Sequence, residues 1–362
     1  MAGSVKNSAK DMVAPITVAG AGVIGLWQAL VLARAGHRVR LVDRADDPLA
    51  ASASSYAGAM LAPYCEAEAA PRIVLEHGRQ GLALWRDAYP ELVNNGTLVV
   101  AAARDRSDLE QYRRMTEGHA VVDAVAISAL EPDLGTRFPA GLYFADEAHM
   151  ATPHALSFLL QSVREAGAEV FLGADPDVFS DLIGEETGIL VDCRGIGARD
   201  QLSGLRAVRG ERVIVRTSEV VLNRPVRLLH PRHPIYVVPW GDKRFMVGAT
   251  VIESEDDGPI SVRSMLELLG TVYALHPAFA EAEIVAAGAG VRPAFDDNVP
   301  RILVSPDART IRVNGAYRHG FLLAPVLARC VARLIEGTGE HHPLVVAGDE
   351  SARPLRSAGE VI

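Results

Sequence analysis

The spacing of apolar and polar residues near the start of the chain predicts a strand, a helix and a second strand. Residues 16–19 are apolar, a glycine-rich segment covers 20–25, an apolar helix follows to about Arg34, and residues 38–42 are strand-like. Gly36 is placed to end the helix, because glycine adopts the left-handed conformation that closes helices. Two strands joined by a helix in this order predict the first β-α-β unit of a parallel, doubly wound sheet.

Further along the chain a second helix leads into a strand, and after that the pattern becomes that of antiparallel strands. A helix over 153–166 leads into a strand at 169–172, and a buried strand at 189–193 follows. From 212 to 252 the alternation is that of antiparallel strands. The remaining predicted elements are helices at about 71–92, 108–117, 262–275 and 323–335, strands at 97–101, 141–144 and 284–291, and a hairpin from 302–304 and 310–313. We predict nucleotide-binding units at both ends of the chain, with antiparallel sheet between them.

Composition and charge narrow the class of protein. The 362 residues are 49% hydrophobic, which is enough for two domains. A net charge of −9 without a basic block argues against nucleic acid or an anionic membrane as the main partner. The apolar stretch at 16–33 resembles a signal peptide, but its three spaced glycines are better explained by a nucleotide-binding turn. No run of residues is long and apolar enough to span a membrane.

Cysteine and lysine usage excludes further chemistry. Three widely spaced cysteines make neither a disulfide framework nor a zinc spacing, so we expect a cytoplasmic protein. Only three of the 36 basic residues are Lys, and none lies in an apolar segment. Schiff-base chemistry needs a desolvated Lys, so pyridoxal-phosphate enzymes are disfavoured. His230 and His233 lie between prolines and predict a turn rather than a metal site.

The glycine triplet predicts a bound dinucleotide. Gly20 permits the tight turn, Gly22 lets a pyrophosphate approach the backbone, and Gly25 lets helix and strand pack closely. The start of the helix offers free N–H groups to phosphates. Asp43 ends the second strand 18 residues after Gly25, close to the distance of about 20 residues expected of a ribose-binding carboxylate.

The order of the elements favours FAD over a nicotinamide dinucleotide. Nicotinamide dehydrogenases usually continue as a compact β-α-β-α-β block, whereas here the sheet is left after Asp43 and resumed near Val170 and Val191. The small residues at 54–60 would let the backbone lie along a long cofactor. Simple helix packing is the alternative explanation of that segment.

Six motifs carry a family resemblance over nearly the whole chain. They are VAGAGVIG at 18–25, YAGAML at 56–61, YVVP at 236–239, VGAT at 247–250, GVRP at 290–293 and GAYRHGFLLAP at 315–325. Together they resemble the FAD-dependent D-amino-acid oxidase superfamily, and specifically the glycine oxidases of thiamine thiazole biosynthesis. The resemblance implies a mixed α/β fold, in which a Rossmann-like FAD-binding domain (14–75, 150–210 and 296–345) is interleaved with an antiparallel-sheet substrate domain (76–149 and 211–295). We expect residues 1–13 and 346–362 to be flexible tails.

The resemblance also implies a set of cofactor contacts. Asp43 is expected at the ribose with Arg44 beside it, and the segment from Gly320 should direct N–H groups at the flavin N1 and C2 carbonyl. Sarcosine oxidases tether flavin through a Cys near the Arg-Pro motif, and no Cys adjoins Arg292, so we predict non-covalent FAD. The other expected contacts are Gly20, Gly22, Val23, Ile24, Gly25, Ser54, Gly58, Ala59, Met60, Val178, His319, Phe321, Leu322 and Leu323.

The substrate end is predicted around Arg292. This residue follows an apolar strand and precedes a proline, so it either holds an anion or pairs with a carboxylate such as Asp296. The resemblance implies that Arg292 binds the substrate carboxylate, with Arg318 near flavin and substrate. It also implies that Tyr236 hydrogen-bonds the substrate or closes the pocket. Val251 stands where Met is expected, which leaves the shape of the pocket open.

These residues predict a glycine oxidase. Glycine and dioxygen would give the imine, or glyoxylate and ammonia, with hydrogen peroxide, and the resemblance implies a homo-oligomer that hands the imine to thiazole synthase. The alternatives are an oxidase or dehydrogenase of another small amine (sarcosine or a D-amino acid), a non-catalytic FAD-binding protein, and a nicotinamide dehydrogenase. We assign no general base and no metal.

Overall fold

The computed structural model describes residues 14–174, 188–338 and 342–347. In these ranges the helices are α1 (Val23–Arg34), α2 (Pro48–Ala51), α3 (Arg72–Ala88), α4 (Arg106–Met115), α5 (Ala124–Leu130), α6 (Thr152–Glu165), α7 (Val262–Leu275) and α8 (Gly320–Ile335). The strands are β1 (Ile16–Ala19), β2 (Val39–Asp43), β3 (Met60–Leu61), β4 (Thr97–Ala101), β5 (Ala120–Asp123), β6 (Ala140–Phe144), β7 (Ala148–His149), β8 (Glu169–Leu172), β9 (Ile189–Asp192), β10 (Arg206–Arg216), β11 (Val226–Leu229), β12 (Ile235–Pro239), β13 (Arg244–Gly248), β14 (Ile252–Glu253), β15 (Glu283–Ala294), β16 (Arg301–Val304), β17 (Thr310–Asn314) and β18 (Val345–Ala347).

The first sheet is the one that the β-α-β pattern predicts. Its seven strands lie in the order β18-β16-β17-β9-β1-β2-β8, and all pairs except β16 with β17 are parallel. The chain leaves this sheet after β2 and returns at β8 and β9, as the apolar pattern indicates. The mixed α/β fold is therefore confirmed. The domain boundaries stay a prediction; the one placed at 346 falls inside β18.

Helices α1, α6 and α8 cover this sheet and form the largest core with it. Leu26, Leu30, Leu156, Leu159 and Leu327 are at most 1% exposed there. Burying each of these side chains contributes about 1.5–3 kcal/mol. The strands of the first sheet are therefore held in place by a continuous apolar layer between them and these helices.

The second sheet has nine strands and is antiparallel except where β4 pairs with β11. Its strands follow the order β14-β10-β13-β12-β11-β4-β6-β5, and β15 also pairs with β10 along almost its whole length. Helix α7 packs on it through Leu268, Val272 and Leu275. Strand β5 was not predicted from the sequence, because three of its four residues are exposed and it shows no alternation.

The last helix begins at Gly320 rather than at 323, so the segment expected as a turn forms its first turn. Pro325 lies inside the helix and has no N–H to donate to the carbonyl four residues earlier, that of Phe321. The indole Nε1 of Trp85 on α3 donates to that carbonyl at 2.6 Å. Helix α3 comes this close because Gly81 faces the backbone of Leu322 without a side chain between them.

No helix in the described ranges is long and apolar enough to cross a membrane.

Candidate active site

A cavity of about 560 Å³ lies between the carboxyl ends of the parallel strands and the face of the second sheet. Ligands of open α/β sheets bind at such strand ends. The predicted residues that line it are Gly20, Gly22, Val23, Ile24, Asp43, Arg44, Ser54, Gly58, Ala59, Met60, Tyr236, Val251, Arg292, Arg318, His319, Gly320, Phe321 and Leu322. Their individual roles stay predictions.

Two predicted cofactor residues in the described ranges, Gly25 and Leu323, do not line the cavity. Gly25 packs against the backbone, and a side chain there would collide with the carbonyl of Gly20. Leu323 is buried in the core under the first sheet. Val178 lies outside the described residues.

One end of the cavity fits a pyrophosphate and a ribose. Helix α1 begins after Gly22 without a side-chain cap, so its first N–H groups have no partner within the helix. A Cβ on Gly22 would lie 3.2 Å from the hydroxyl of Ser54, which itself accepts from the N–H of Val23 at 3.0 Å. The carboxylate of Asp43 accepts from the N–H of Ala21 at 2.6 Å, which fixes it beside the turn. Ser54 engages only the first of these N–H groups, and the narrow cradle around the rest of the helix start suits the phosphates of a dinucleotide.

The start of α8 forms a second uncapped helix end on the same cavity. His319 precedes it and caps it with no side-chain hydrogen bond. Burial lowers the pKa of His319 to about 4, so the ring is neutral at physiological pH. The partial positive charge of this helix end is thus available to an electron-rich part of a ligand.

Arg292 projects from β15 into the other end of the cavity. Its Nη1 donates to the carbonyl of Thr250 at 3.2 Å, and its guanidinium lies against Gly210, where a side chain would occupy the same space. Burial lowers its pKa, although Tyr317 and Glu66 act in the opposite direction. Within the described ranges no carboxylate lies within 4 Å of it, so the pairing with Asp296 that the sequence left open is not formed.

Beside it lies a cluster that sequence reasoning missed. Glu66, which lines the cavity, accepts from the Tyr236 hydroxyl at 2.5 Å, and its Oε2 lies 3.0 Å from Nη2 of Arg318. The guanidinium of Arg318 also contacts the Tyr236 hydroxyl. The sequence offered one sign of this cluster: two acids, Glu66 and Glu68, follow shortly after the small-residue segment at 54–60.

The loop that carries Val251 is fixed by buried charges. Arg209 and Glu211 form an ion pair at 2.7 Å, and both are at most 4% exposed. Arg209 donates to the carbonyl of Pro259, and Glu211 accepts from the hydroxyl of Thr250 at 3.3 Å. Val251 lines the cavity with half of its surface exposed, so the cavity is open on this side.

Cys65 lies close in sequence to the small-residue segment at 54–60 but is not exposed. It is fully buried, with its Sγ 3.1 Å from the hydroxyl of Tyr112. Burial raises its pKa far above the ordinary value, so it remains a neutral thiol. Cys193 and Cys330 are also buried, as expected of small core residues.

The strand order and the narrow cradle at the start of α1 are those of a dinucleotide-binding protein. Residues 15–334 match the model of the FAD dependent oxidoreductase family, and the chain belongs to that family. FAD is therefore its cofactor, as predicted.

Among its relatives is the thiamine biosynthesis oxidoreductase ThiO of Rhizobium etli, 51% identical over 88% of this chain and 95% of that protein. The glycine oxidase of Geobacillus kaustophilus is 27% identical over 89% of this chain and 92% of its own length. A bifunctional ThiO/ThiG protein of Nostoc is 26% identical over 90% of this chain and 53% of that protein. A crystal structure of glycine oxidase from Geobacillus kaustophilus has a TM-score of 0.74 and 24% identity, covering 91% of this chain and 95% of the other, and so shares the fold. The resemblance predicted from the sequence motifs is confirmed.

Proposed function

We propose that this protein oxidises glycine, with dioxygen and water giving glyoxylate, ammonia and hydrogen peroxide. The observation that carries the proposal is Arg292, a guanidinium that lines the cavity and has no carboxylate within 4 Å in the described part of the chain. A buried cation of this kind is completed by a ligand carboxylate, which a guanidinium binds through two parallel hydrogen bonds. The Geobacillus kaustophilus relative, a glycine oxidase, supports the same substrate, and the Rhizobium etli relative supports a place in thiamine biosynthesis.

The chain's own residues hold and orient the reactants. FAD, when bound, supplies a two-electron acceptor for the hydride of the substrate Cα. The cradle at Gly22 and Ser54 would hold its pyrophosphate, Asp43 and Arg44 its ribose, and the start of α8 the electron-rich edge of its ring. Arg292 would hold the substrate carboxylate. The cofactor is proposed to be non-covalent, because no Cys adjoins Arg292.

Proton handling requires no dedicated base in this proposal. The Tyr236 hydroxyl already donates to Glu66, and His319 is buried and neutral. An amine that enters unprotonated becomes an iminium ion when the Cα hydride leaves, and this ion releases one of its two N–H protons to water to give the imine. Tyr236 is assigned to closing the pocket around the substrate.

We further propose that the imine is passed to thiazole synthase before hydrolysis. The bifunctional Nostoc relative, which joins ThiO and ThiG in one chain, supports a physical link between the two activities. A cytoplasmic homo-oligomer remains part of this proposal.

The second candidate is an oxidase of sarcosine or of a small D-amino acid. The observation in its favour is Val251, which lines the cavity with half of its surface exposed and leaves room beyond a glycine-sized substrate.

The test is a product assay on the purified holoenzyme, with glycine, sarcosine and D-alanine supplied separately in aerated buffer. We expect glycine to give glyoxylate and hydrogen peroxide in equal amounts. Turnover of D-alanine or sarcosine but not of glycine would transfer the assignment to the second candidate. Bound FAD with no product from any of the three would identify a non-catalytic FAD-binding protein.

A further inference from the structure

At the substrate end of the cavity, Arg292, Arg318 and Glu66 belong to the lining, and behind them Arg227 and Glu68 pair with each other. Arg318 pairs with Glu66, its Nη2 3.0 Å from Oε2. Arg227 pairs with Glu68 at 3.0 Å and contacts Glu66 at 3.5 Å. Arg292 alone of the three has no carboxylate within ion-pair distance among the residues that the structure describes. Among these five groups, Arg292 therefore carries the one positive charge that has no carboxylate partner.

At physiological pH Glu66 is charged and the neighbouring His319 is neutral. Burial alone would raise the pKa of Glu66, but Arg318 and Arg227 outweigh it and hold the pKa below its ordinary value. Glu66 is thus an anion. His319 adds no charge, because burial lowers its pKa to about 4.

The oxygens of Glu66 are already engaged by the protein. Oε1 accepts from the Tyr236 hydroxyl at 2.5 Å and lies 3.4 Å from Arg318, which also binds Oε2. The side chain of Glu66 is only 14% exposed. Glu66 therefore acts on a substrate through Arg318 and Tyr236, as a positioning residue.

We infer that Glu66 determines the substrate class: by neutralising Arg318 it leaves Arg292 as the one cation without a carboxylate partner among the described residues that line this end, so the site accepts amino acids with a single carboxylate and rejects dicarboxylates. This inference rests on the proposed function. A second substrate carboxylate would have to lose its water beside the negative charge of Glu66, and no second unpaired cation of the described lining is there to receive it. Discrimination arises from this repulsive element as much as from the attraction of Arg292.

The matched change is Glu66→Gln, which keeps the size and a hydrogen-bond acceptor but removes the negative charge. It would leave Arg318 as a second unpaired cation. Charges several ångströms apart in a protein site interact strongly enough to change affinity by about tenfold or more. We therefore expect dicarboxylates to gain at least about tenfold over monocarboxylates.

The experiment measures binding of acetate and malonate to the holoenzyme through the change in visible absorbance of its FAD. The wild type should bind malonate no more tightly than acetate, and Glu66→Gln should shift the ratio of the two dissociation constants towards malonate by about tenfold or more. In the double variant Glu66→Gln, Arg318→Gln, the ratio should return to the wild-type value. A purely structural role of Glu66 would not produce this return.

Glu76→Gln is the control, because Glu76 carries the same charge in an exposed pair with Arg72 and should leave the ratio unchanged. A wild type that already prefers malonate by tenfold would overturn the inference even if Glu66→Gln fails to fold. So would a Glu66→Gln protein with the wild-type ratio. Failure of glycine to reduce the wild-type flavin would count against the proposed function instead, since the binding ratio is measured without turnover.

Discussion

Arg292 is the residue on which the functional assignment depends most. Its guanidinium is held from one side by the carbonyl of Thr250 and rests against Gly210, which has no side chain to displace it. Arg suits this position better than Lys, because the planar group keeps its charge despite burial and offers two parallel donors. Its geometry is therefore set before any substrate enters.

Replacing this group should separate substrate binding from cofactor binding. Arg292→Ala should raise the KM for glycine by about 100-fold while FAD remains bound, since truncating one partner of a buried charge pair costs about 2–5 kcal/mol. Steady-state kinetics and the flavin content of the purified variant measure the two effects. Arg216→Ala, which removes an exposed Arg paired with Glu283 on the same sheet, is the control and should change neither. Loss of FAD from Arg292→Ala would show that this residue belongs to the cofactor site.

Trp85 connects the core to the cofactor end of the cavity. The indole satisfies the Phe321 carbonyl that Pro325 leaves without a helical donor, and Phe321 itself lines the cavity. The second indole nearby, that of Trp27, packs edge-on at 5.0 Å, but its N–H finds no acceptor in the described ranges.

We therefore expect the same substitution to reduce the free energy of unfolding by different amounts at the two tryptophans. Trp85→Phe should lower the free energy of unfolding by about 1–3 kcal/mol more than Trp27→Phe does, because it leaves a buried carbonyl unsatisfied. Thermal or denaturant unfolding of the holoenzyme variants measures the difference. Equal costs would mean that the bond to Phe321 contributes little.

The turn that carries Glu66 is held by a second buried acid. Glu147 accepts from the N–H groups of Tyr64 and Cys65, at 3.0 and 2.6 Å. Burial raises its pKa from 4.5 to about 8, against the effect of those bonds. Between these values Glu147 holds a proton in the folded chain that it has lost in the unfolded chain. Its contribution to stability is therefore fully present below pH 4.5 and is lost as the pH rises through about 8.

Glu147→Gln should remove this pH dependence, because the neutral amide oxygen accepts the same two bonds and does not titrate. We expect the variant and the wild type to melt together near the acid end of this range. At a pH above 8 the variant should melt about 3–6 °C higher. A melting-temperature series across that range is the measurement. If the melting temperatures of the variant and the wild type differ by the same amount at every pH, Glu147 is already ionised in the folded protein.

At the scale of the whole molecule, two sheets meet at one cavity, and the sequence predicts the two sheets unequally. The parallel sheet follows from local patterns, because its strands are buried apolar runs next to glycines and helices. The exposed strand β5 has no such pattern, and its pairing depends on neighbours distant in the chain.

The same contrast holds within the site. Gly20, Gly22 and Asp43 could be predicted because they belong to one local motif. Glu66 meets Arg318, 252 residues away, and Tyr236, 170 residues away, only in the folded chain. Whether Arg292 pairs with an acid or stays free was likewise a question of tertiary structure.

The most direct test of the account is reduction of the bound flavin by glycine in the absence of dioxygen. We predict that glycine removes the visible absorbance of oxidised FAD, that admitting dioxygen restores it, and that Arg292→Ala needs about 100-fold more glycine for the same change. Flavin that stays oxidised at saturating glycine would contradict the assignment. So would reduction that does not depend on Arg292.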